Sequence, residues 1–236
     1  RSIDVSGHGT HVAGIACGNG RQSNGRYRGV AFKSEILIVK IGDSIGEAYP
    51  LTTRLMEALE YVMRIAIREK KPIAINLSFG NNYGDHRGNS LLELYINEIA
   101  LTWKNNICVG TGNEGDKGIH FGGKINDEKI SVEMIVGAGE KYVSMQLWKY
   151  IWDDIEISII SPSGIRYGLN REKAIDVIET QSYFIYVYYG SATPLNINQE
   201  INIVLYTKEE FLNEDRWILE ITPQNIINKG ENFCFI

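Results

Sequence analysis

No apolar run in this chain is long enough to cross a bilayer, so the sequence reads as that of a soluble protein. Lysine and arginine nowhere gather into a run that could follow a phosphate backbone. With a net charge of −5, that argues against nucleic acid as a partner. Only three cysteines occur, Cys17, Cys108 and Cys234. They are odd in number, far apart and set among apolar residues, which excludes a disulfide framework and marks them as reduced core residues. A secretory signal is missing too. The chain starts at Arg1-Ser2-Ile3-Asp4, four residues before its most distinctive motif, and stops at Asn232-Phe233-Cys234-Phe235-Ile236, within a strand-like run. Both ends look cut, and the expectation is a piece of a longer protein.

What is present is ordinary globular material. A hydrophobic share of 44% and a charged share of 22% over 236 residues suffice for one large domain or two modest ones with a real core. The distinctive stretch is Ser6-Gly7-His8-Gly9-Thr10-His11-Val12-Ala13-Gly14-Ile15. Glycines on both sides of His8 allow a tight turn and leave the imidazole unshielded. The residues from Thr10 to Ala16 read as a buried helix with small residues on its packing face. A histidine at a helix mouth is placed to exchange a proton in a cleft, although an ordinary capping histidine would look the same. Zinc binding by His8 and His11 would need a third ligand, and no His, Cys or Asp cluster supplies one.

Further along, Gly18-Asn19-Gly20 stops the helix and Arg21 to Arg28 form a polar loop. Gly29-Val30-Ala31 follows, and Glu35 to Lys40 reads as a buried, β-branched strand. From Leu51 to Lys70, apolar residues at helical spacing (Leu55, Met56, Leu59, Val62, Met63, Ile65, Ala66) predict a core helix with a basic last turn, ended by Pro72. Ile73 to Gly80 reads as a second buried strand. A Gly/Asn/Asp-rich loop and a helix from about 90 to 104 follow, with Leu91, Leu94, Tyr95, Ile99 and Leu101 inward. Ile107 to Thr111 then makes a third strand. This alternation implies a parallel sheet with right-handed crossovers, whose site lies at the carboxyl ends of the strands. Gly112-Asn113-Glu114-Gly115 sits at such an end, either as a left-handed turn or as a display of the Asn113 amide.

From about Ile125 the periodicity changes. Lys129–Val136, Tyr142–Trp148, Asp154–Ile160, Ile175–Glu179, Tyr183–Tyr189, Gln199–Thr207 and Trp217–Thr222 all read as strands separated by turn signals. Seven strands at short, regular spacing predict a β-sandwich of jelly-roll type. The expected fold class is therefore α/β, a partial parallel-sheet core over residues 1–124, followed by an all-β sandwich over 125–236.

His-Gly-Thr-His-Val-Ala-Gly at 8–14 resembles the histidine signature of subtilisin-like serine proteases (subtilases, peptidase S8). Gly29-Val30-Ala31, Asn76-Leu77-Ser78-Phe79-Gly80 and Gly112-Asn113-Glu114-Gly115 resemble three further segments of that family, in the same order. The resemblance implies that His8 is the general base, with His11 a structural neighbour, and that Asn113 donates to the oxyanion. It also implies that the main chain of Ser78, Phe79 and Gly80 pairs with an extended peptide. Gly110, Thr111 and Gly112 would border, with Ser78–Gly80, the pocket for the residue before the scissile bond. The glycines there point to an open pocket, and Glu114 to a preference for polar or basic residues. No metal or cofactor is called for.

In that family the triad runs Asp, His, Ser along the chain. Only seven residues precede His8, and Asp4 follows no strand. Ser191 in Gly190-Ser191-Ala192 and Ser163 in Ser161-Pro162-Ser163-Gly164 read as turns rather than helix starts. The chain is thus expected to hold one triad member of three and to be inactive alone. The β-rich second half departs from the common family pattern. Leu147-Trp148 with Ile157 to Gly164 resembles the insert of the clostridial Csp-type spore-germination proteases. That likeness implies a serine endopeptidase acting on a spore cortex-lytic enzyme precursor, with its cleaved prosegment as a partner and a secreted or spore-associated location. The alternatives are a pseudoprotease that binds or signals, and a sandwich with its own carbohydrate- or protein-binding role. The latter would need solvent-facing aromatics on one sheet face, which Trp148, Tyr150 and Trp152 do not settle.

Overall fold

The structure, a computed structural model, describes residues 3–42, 51–227 and 232–235. The chain falls into two units, one of residues 1–80 with 91–111, the other of 81–90 with 112–236. Residues 81–90 and 112–124, expected in the first domain, thus pack with the β-rich part.

In the first unit the strongest helical pattern produces the best-buried helix. This is α2 (Thr52–Glu69), with α1 (His8–Cys17) before it in the chain and α3 (Leu91–Leu101) after it. α2 buries Leu55, Leu59, Val62, Met63 and Ala66 on one stripe, the periodicity read from the sequence. It ends on Lys70 in the left-handed region (φ 54°), followed by Pro72. Strands β1 (Ile73–Leu77) and β2 (Asn105–Val109) pair in parallel, Ile73 opposite Asn105 and Leu77 opposite Val109. Leu59, Val62, Met63, Ile75 and Ile99 form the core, with Val39, Ile73, Tyr95 and Ile107 packed against it.

Three expectations fail here. Among the described residues α1 has none buried, and its C-terminal end docks on residues 29–31. Residues 35–40 form no strand and leave Ile36, Leu37 and Ile38 exposed. A strand needs a ladder partner for its backbone groups, and among the described residues β1 and β2 pair only with each other. In α3 only Ile99 is buried, and Leu91 and Leu101 face solvent. Cys17 is half-buried and Cys108 exposed, both as free thiols, so Cys108 is no core residue; the side chain of Cys234 lies outside the described residues.

The second unit is built from strands β3 (Phe121–Lys124), β4 (Ile130–Val136), β5 (Tyr142–Tyr150), β6 (Asp154–Ile160), β7 (Arg166–Gly168), β8 (Ile175–Glu179), β9 (Tyr183–Tyr189), β10 (Asn198–Thr207), β11 (Asp215–Asn225) and β12 (Asn232–Phe235). They form a six-stranded sheet, β3-β12-β5-β10-β9-β8, and a four-stranded sheet, β4-β11-β6-β7. Every pairing is antiparallel. All seven strands expected from alternation are present; β3 and β7 are too short to announce themselves.

Alternation directs one face of each sheet into a common core. Met145, Leu147, Ile185, Val187, Ile201, Ile203 and Leu205 come from the larger sheet, and Val132, Ile155, Ile157, Ile159, Trp217, Leu219 and Ile221 from the smaller. Trp217 is fully buried and meets the Tyr183 ring edge-on, with centroids 5.1 Å apart. The opposite face of the larger sheet is aromatic. Cross-strand rows Ile175–Tyr188, Val177–Tyr186–Val204 and Phe184–Tyr206–Tyr142 stand on it, and Tyr142, Tyr186, Tyr188 and Tyr206 are exposed.

Candidate active site

His8 is the first residue of α1, and Gly7 before it holds φ 79°, a conformation that L side chains rarely adopt. The N–H groups at a helix start need acceptors, and glycine at the N-cap has no side chain to offer one. Asp4 accepts from two backbone N–H groups of this turn. One carboxylate oxygen accepts from Gly7 N (3.0 Å) and Ser6 Oγ (3.2 Å). The other accepts from Thr10 N and Thr10 Oγ1, both at 2.7 Å. His8 N donates in turn to Ser6 Oγ at 3.3 Å. The Thr10 hydroxyl above all, then the Thr10 and Gly7 N–H groups and Ser6, hold the Asp4 carboxyl well below the usual carboxylate range. The His8 side chain is exposed, and among the described residues its imidazole makes no hydrogen bond. His11 is also exposed, its N–H donating to Gly7 O at 3.0 Å.

The far end of α1 is fastened by residues 29–31. Gly29 N donates to Gly18 O (2.7 Å), Val30 N to Ile15 O (3.2 Å) and Ala31 N to Ala16 O (2.8 Å). A side chain at Gly29 would place its Cβ 2.6 Å from the backbone nitrogens of Cys17 and Gly18, so only glycine permits this approach.

The carboxyl ends of β1 and β2 lie side by side. Gly110 N donates to Leu77 O at 3.0 Å, which carries the pairing one residue past the ladder. Ser78, Phe79 and Gly80 therefore leave the sheet beside Gly110 and Thr111, and of these only Phe79 is half-buried. Asn76 Nδ2 holds Ser78 Oγ at 2.9 Å. Sequence reasoning grouped Gly112 with these five residues; the parallel register sets the five near one another, and Gly112 falls in the other unit.

Gly112 (φ 95°) and Asn113 belong to the β-rich unit, whereas His8 belongs to the first. Asn113 sits in an exposed bend. The Glu114 carboxylate, expected to face a substrate, accepts from Asn82 Nδ2 at 2.6 Å. Ser191 lies in the loop before β10 and Ser163 in a turn closed by Gly164 N to Ser161 O (2.9 Å), so neither opens a helix. Among the described residues no group of three or more His, Cys, Asp or Glu could hold a metal ion, and no helix is long and apolar enough to cross a membrane.

Two carboxylates acquire roles that sequence reasoning did not assign. Asp4 stood out only as a poor triad candidate, although an acidic residue just ahead of a helix is itself a capping signal. Asp85 is buried in the 81–90 segment, where it accepts from Asn196 Nδ2 (2.9 Å), Asn198 Nδ2 (2.8 Å) and Arg87 N (3.1 Å). The two asparagines lie 111 and 113 residues away, and no local pattern announces them.

Comparison with known proteins agrees with the motifs. The subtilase family, Peptidase_S8, matches residues 2–150. Tripeptidyl-peptidase 2 of Drosophila melanogaster is 30% identical over 145 residues, 60% of this chain and 9% of that protein. The major intracellular serine protease of Bacillus subtilis (strain 168) is 29% identical over 167 residues, 67% of this chain and 45% of that one. The structure of the Clostridium perfringens CspB protease superposes with a TM-score of 0.84 at 33% identity, covering 99% of this chain and 50% of CspB. The chain thus spans half or less of the length of each.

Proposed function

The chain belongs to the subtilase family, peptidase S8, and from that premise we propose that it carries the general base and the substrate-pairing edge of a serine endopeptidase. In this reading His8 takes the proton of a serine hydroxyl and later returns it to the leaving amine. Asn113 donates its side-chain amide to the tetrahedral oxyanion. The main chain of Ser78–Phe79–Gly80 pairs with an extended peptide, and Gly110, Thr111 and Gly112 border the pocket beside it. The observation that carries the reading is the His8 turn, a histidine with an open imidazole on a helix start anchored at several points.

A serine endopeptidase also needs a triad aspartate and serine, and no residue of this chain offers itself for either role. Asp4 has its oxygens occupied and neither Ser163 nor Ser191 opens a helix, so these residues alone do not turn over substrate. Residues 125–236 are a jelly-roll insert following the oxyanion asparagine. The task implied by the Csp-type resemblance is proteolytic activation of a spore cortex-lytic enzyme precursor, with the cleaved prosegment retained as a partner; the structural match to the CspB protease supports the Csp-type assignment behind it.

The test is peptide hydrolysis by the full-length protein. H8A abolishes it, and N113A lowers kcat by about 100- to 1,000-fold with little change in KM. An H8A protein as active as the wild type overturns the reading, and a wild type without activity favours a pseudoprotease. Cleavage of the purified precursor, with the prosegment co-purifying, tests the finer assignment.

One observation favours an additional binding role for the β-rich unit. The exposed tyrosines of the larger sheet form the solvent-facing aromatic surface that such a role requires. A glycan-binding assay on the full-length protein and a Y186A/Y188A variant checks it, and no difference between them counts against it.

A further inference from the structure

We propose that Asp4 is the positioning residue for His8, the group that fixes the catalytic base in place without touching the reacting atoms. The inference rests on His8 being the base. An ionised carboxylate has about four acceptor positions, and Asp4 makes four hydrogen bonds, two on each oxygen. No acceptor remains for an imidazole N–H, which separates Asp4 from the orienting carboxylate of a triad. All four bonds end on the turn that carries His8. Gly7 N and Thr10 N bracket the histidine, the Thr10 hydroxyl doubles the second anchor, and Ser6 Oγ links the His8 amide to the same carboxylate.

The turn needs such an anchor. Gly7 has no capping side chain and no preference for negative φ, and among the described residues α1 has none buried to hold its start from below. Among those residues, too, nothing lies within 4 Å of a Cβ built at Gly7. The described contacts that set the position of His8 are therefore hydrogen bonds, and those converge on one side chain. Displacing a catalytic group by about 1 Å costs roughly 100-fold in rate. Removing Asp4 should appear in kcat, because the base moves, and not in KM, because Ser78–Gly80 and Gly110–Thr111 are held by the β1–β2 ladder instead.

The experiment uses the full-length protein and a fluorogenic peptide, with D4N as the test variant, H8A as the reference for loss of the base, and L59A as a stability control in the α2 core. D4N is expected to lower kcat about 10- to 100-fold with KM within about twofold. It should also speed amide exchange at Gly7 and Thr10 while leaving β1 and β2 protected. L59A is expected to lose more thermal stability and to keep kcat once folded. A D4N kcat within twofold of wild type, with H8A inactive, overturns the role of Asp4 and leaves the functional reading standing. An H8A protein that still hydrolyses peptide overturns both. If D4N does not accumulate folded, T10V carries the test, since it deletes one hydroxyl and keeps the backbone bond. A fall in kcat of about threefold or more supports the proposal, and an unchanged kcat overturns it.

Discussion

At the scale of single residues, a few buried polar groups give the β-rich unit a stability that depends on pH. Burial alone would raise the Asp85 carboxyl, but hydrogen bonds from Asn198, the Arg87 N–H and Asn196 outweigh it and hold the group below its ordinary value. A depressed carboxyl stabilises the fold above its unfolded value and loses that contribution as pH falls through the folded one. At pH 7, D85A should cost about 2–3 kcal/mol, since it strands two amides and an N–H. Urea unfolding should show the gap between wild type and D85N narrowing below about pH 4.

At Lys149 folding disfavours the charged form. Desolvation, aided by Arg171 and opposed by Asp153, lowers its ammonium to about 8. Its Nζ donates to the carbonyls of Asp153 (2.6 Å) and Tyr150 (3.1 Å). The folded state sheds this proton before the unfolded chain does, so stability should rise between about pH 8 and 9.5. K149M should remove that rise in the same measurement.

Among the elements, α1 and α2 show how differently two helices read from sequence can be held. α2 has a full apolar stripe and a core to meet, and Leu59 is 2% exposed. L59A should therefore cost about 2–5 kcal/mol. Ile15 on α1 is 60% exposed, and I15A should stay within about 0.5 kcal/mol by the same unfolding assay. Lys70 holds a left-handed conformation at the end of α2, where glycine carries no Cβ penalty. K70G should raise stability by about 0.5–1 kcal/mol.

Strands were most legible where alternation was long. β6, β8 and β9 fall on their expected limits, because each has one face in the core and one in solvent. Residues 35–40 have the composition of a strand and, among the described residues, no ladder partner, which composition cannot report.

For the molecule as a whole, the two cores share no residues, one around Leu59 and Ile75, the other around Trp217 and Ile203. Losses from L59A and W217A should accordingly add, with a coupling energy below about 0.5 kcal/mol in a double-mutant cycle. A larger coupling would mean that the cores respond to one another.

The sequence by itself determined the family, the glycine-flanked histidine turn that resembles the family's signature, and the run of β-strands. These depend on side-chain type and spacing along a few adjacent residues, which a linear pattern records in full. Only the tertiary structure decided that Asp4 anchors that turn and that Asp85 ties the 81–90 segment to residues more than a hundred positions away. It alone, too, left α1 and residues 35–40 exposed among the described residues. Each of these depends on which group meets which in space, and a hydrogen bond or a buried face exists only once both partners are in place.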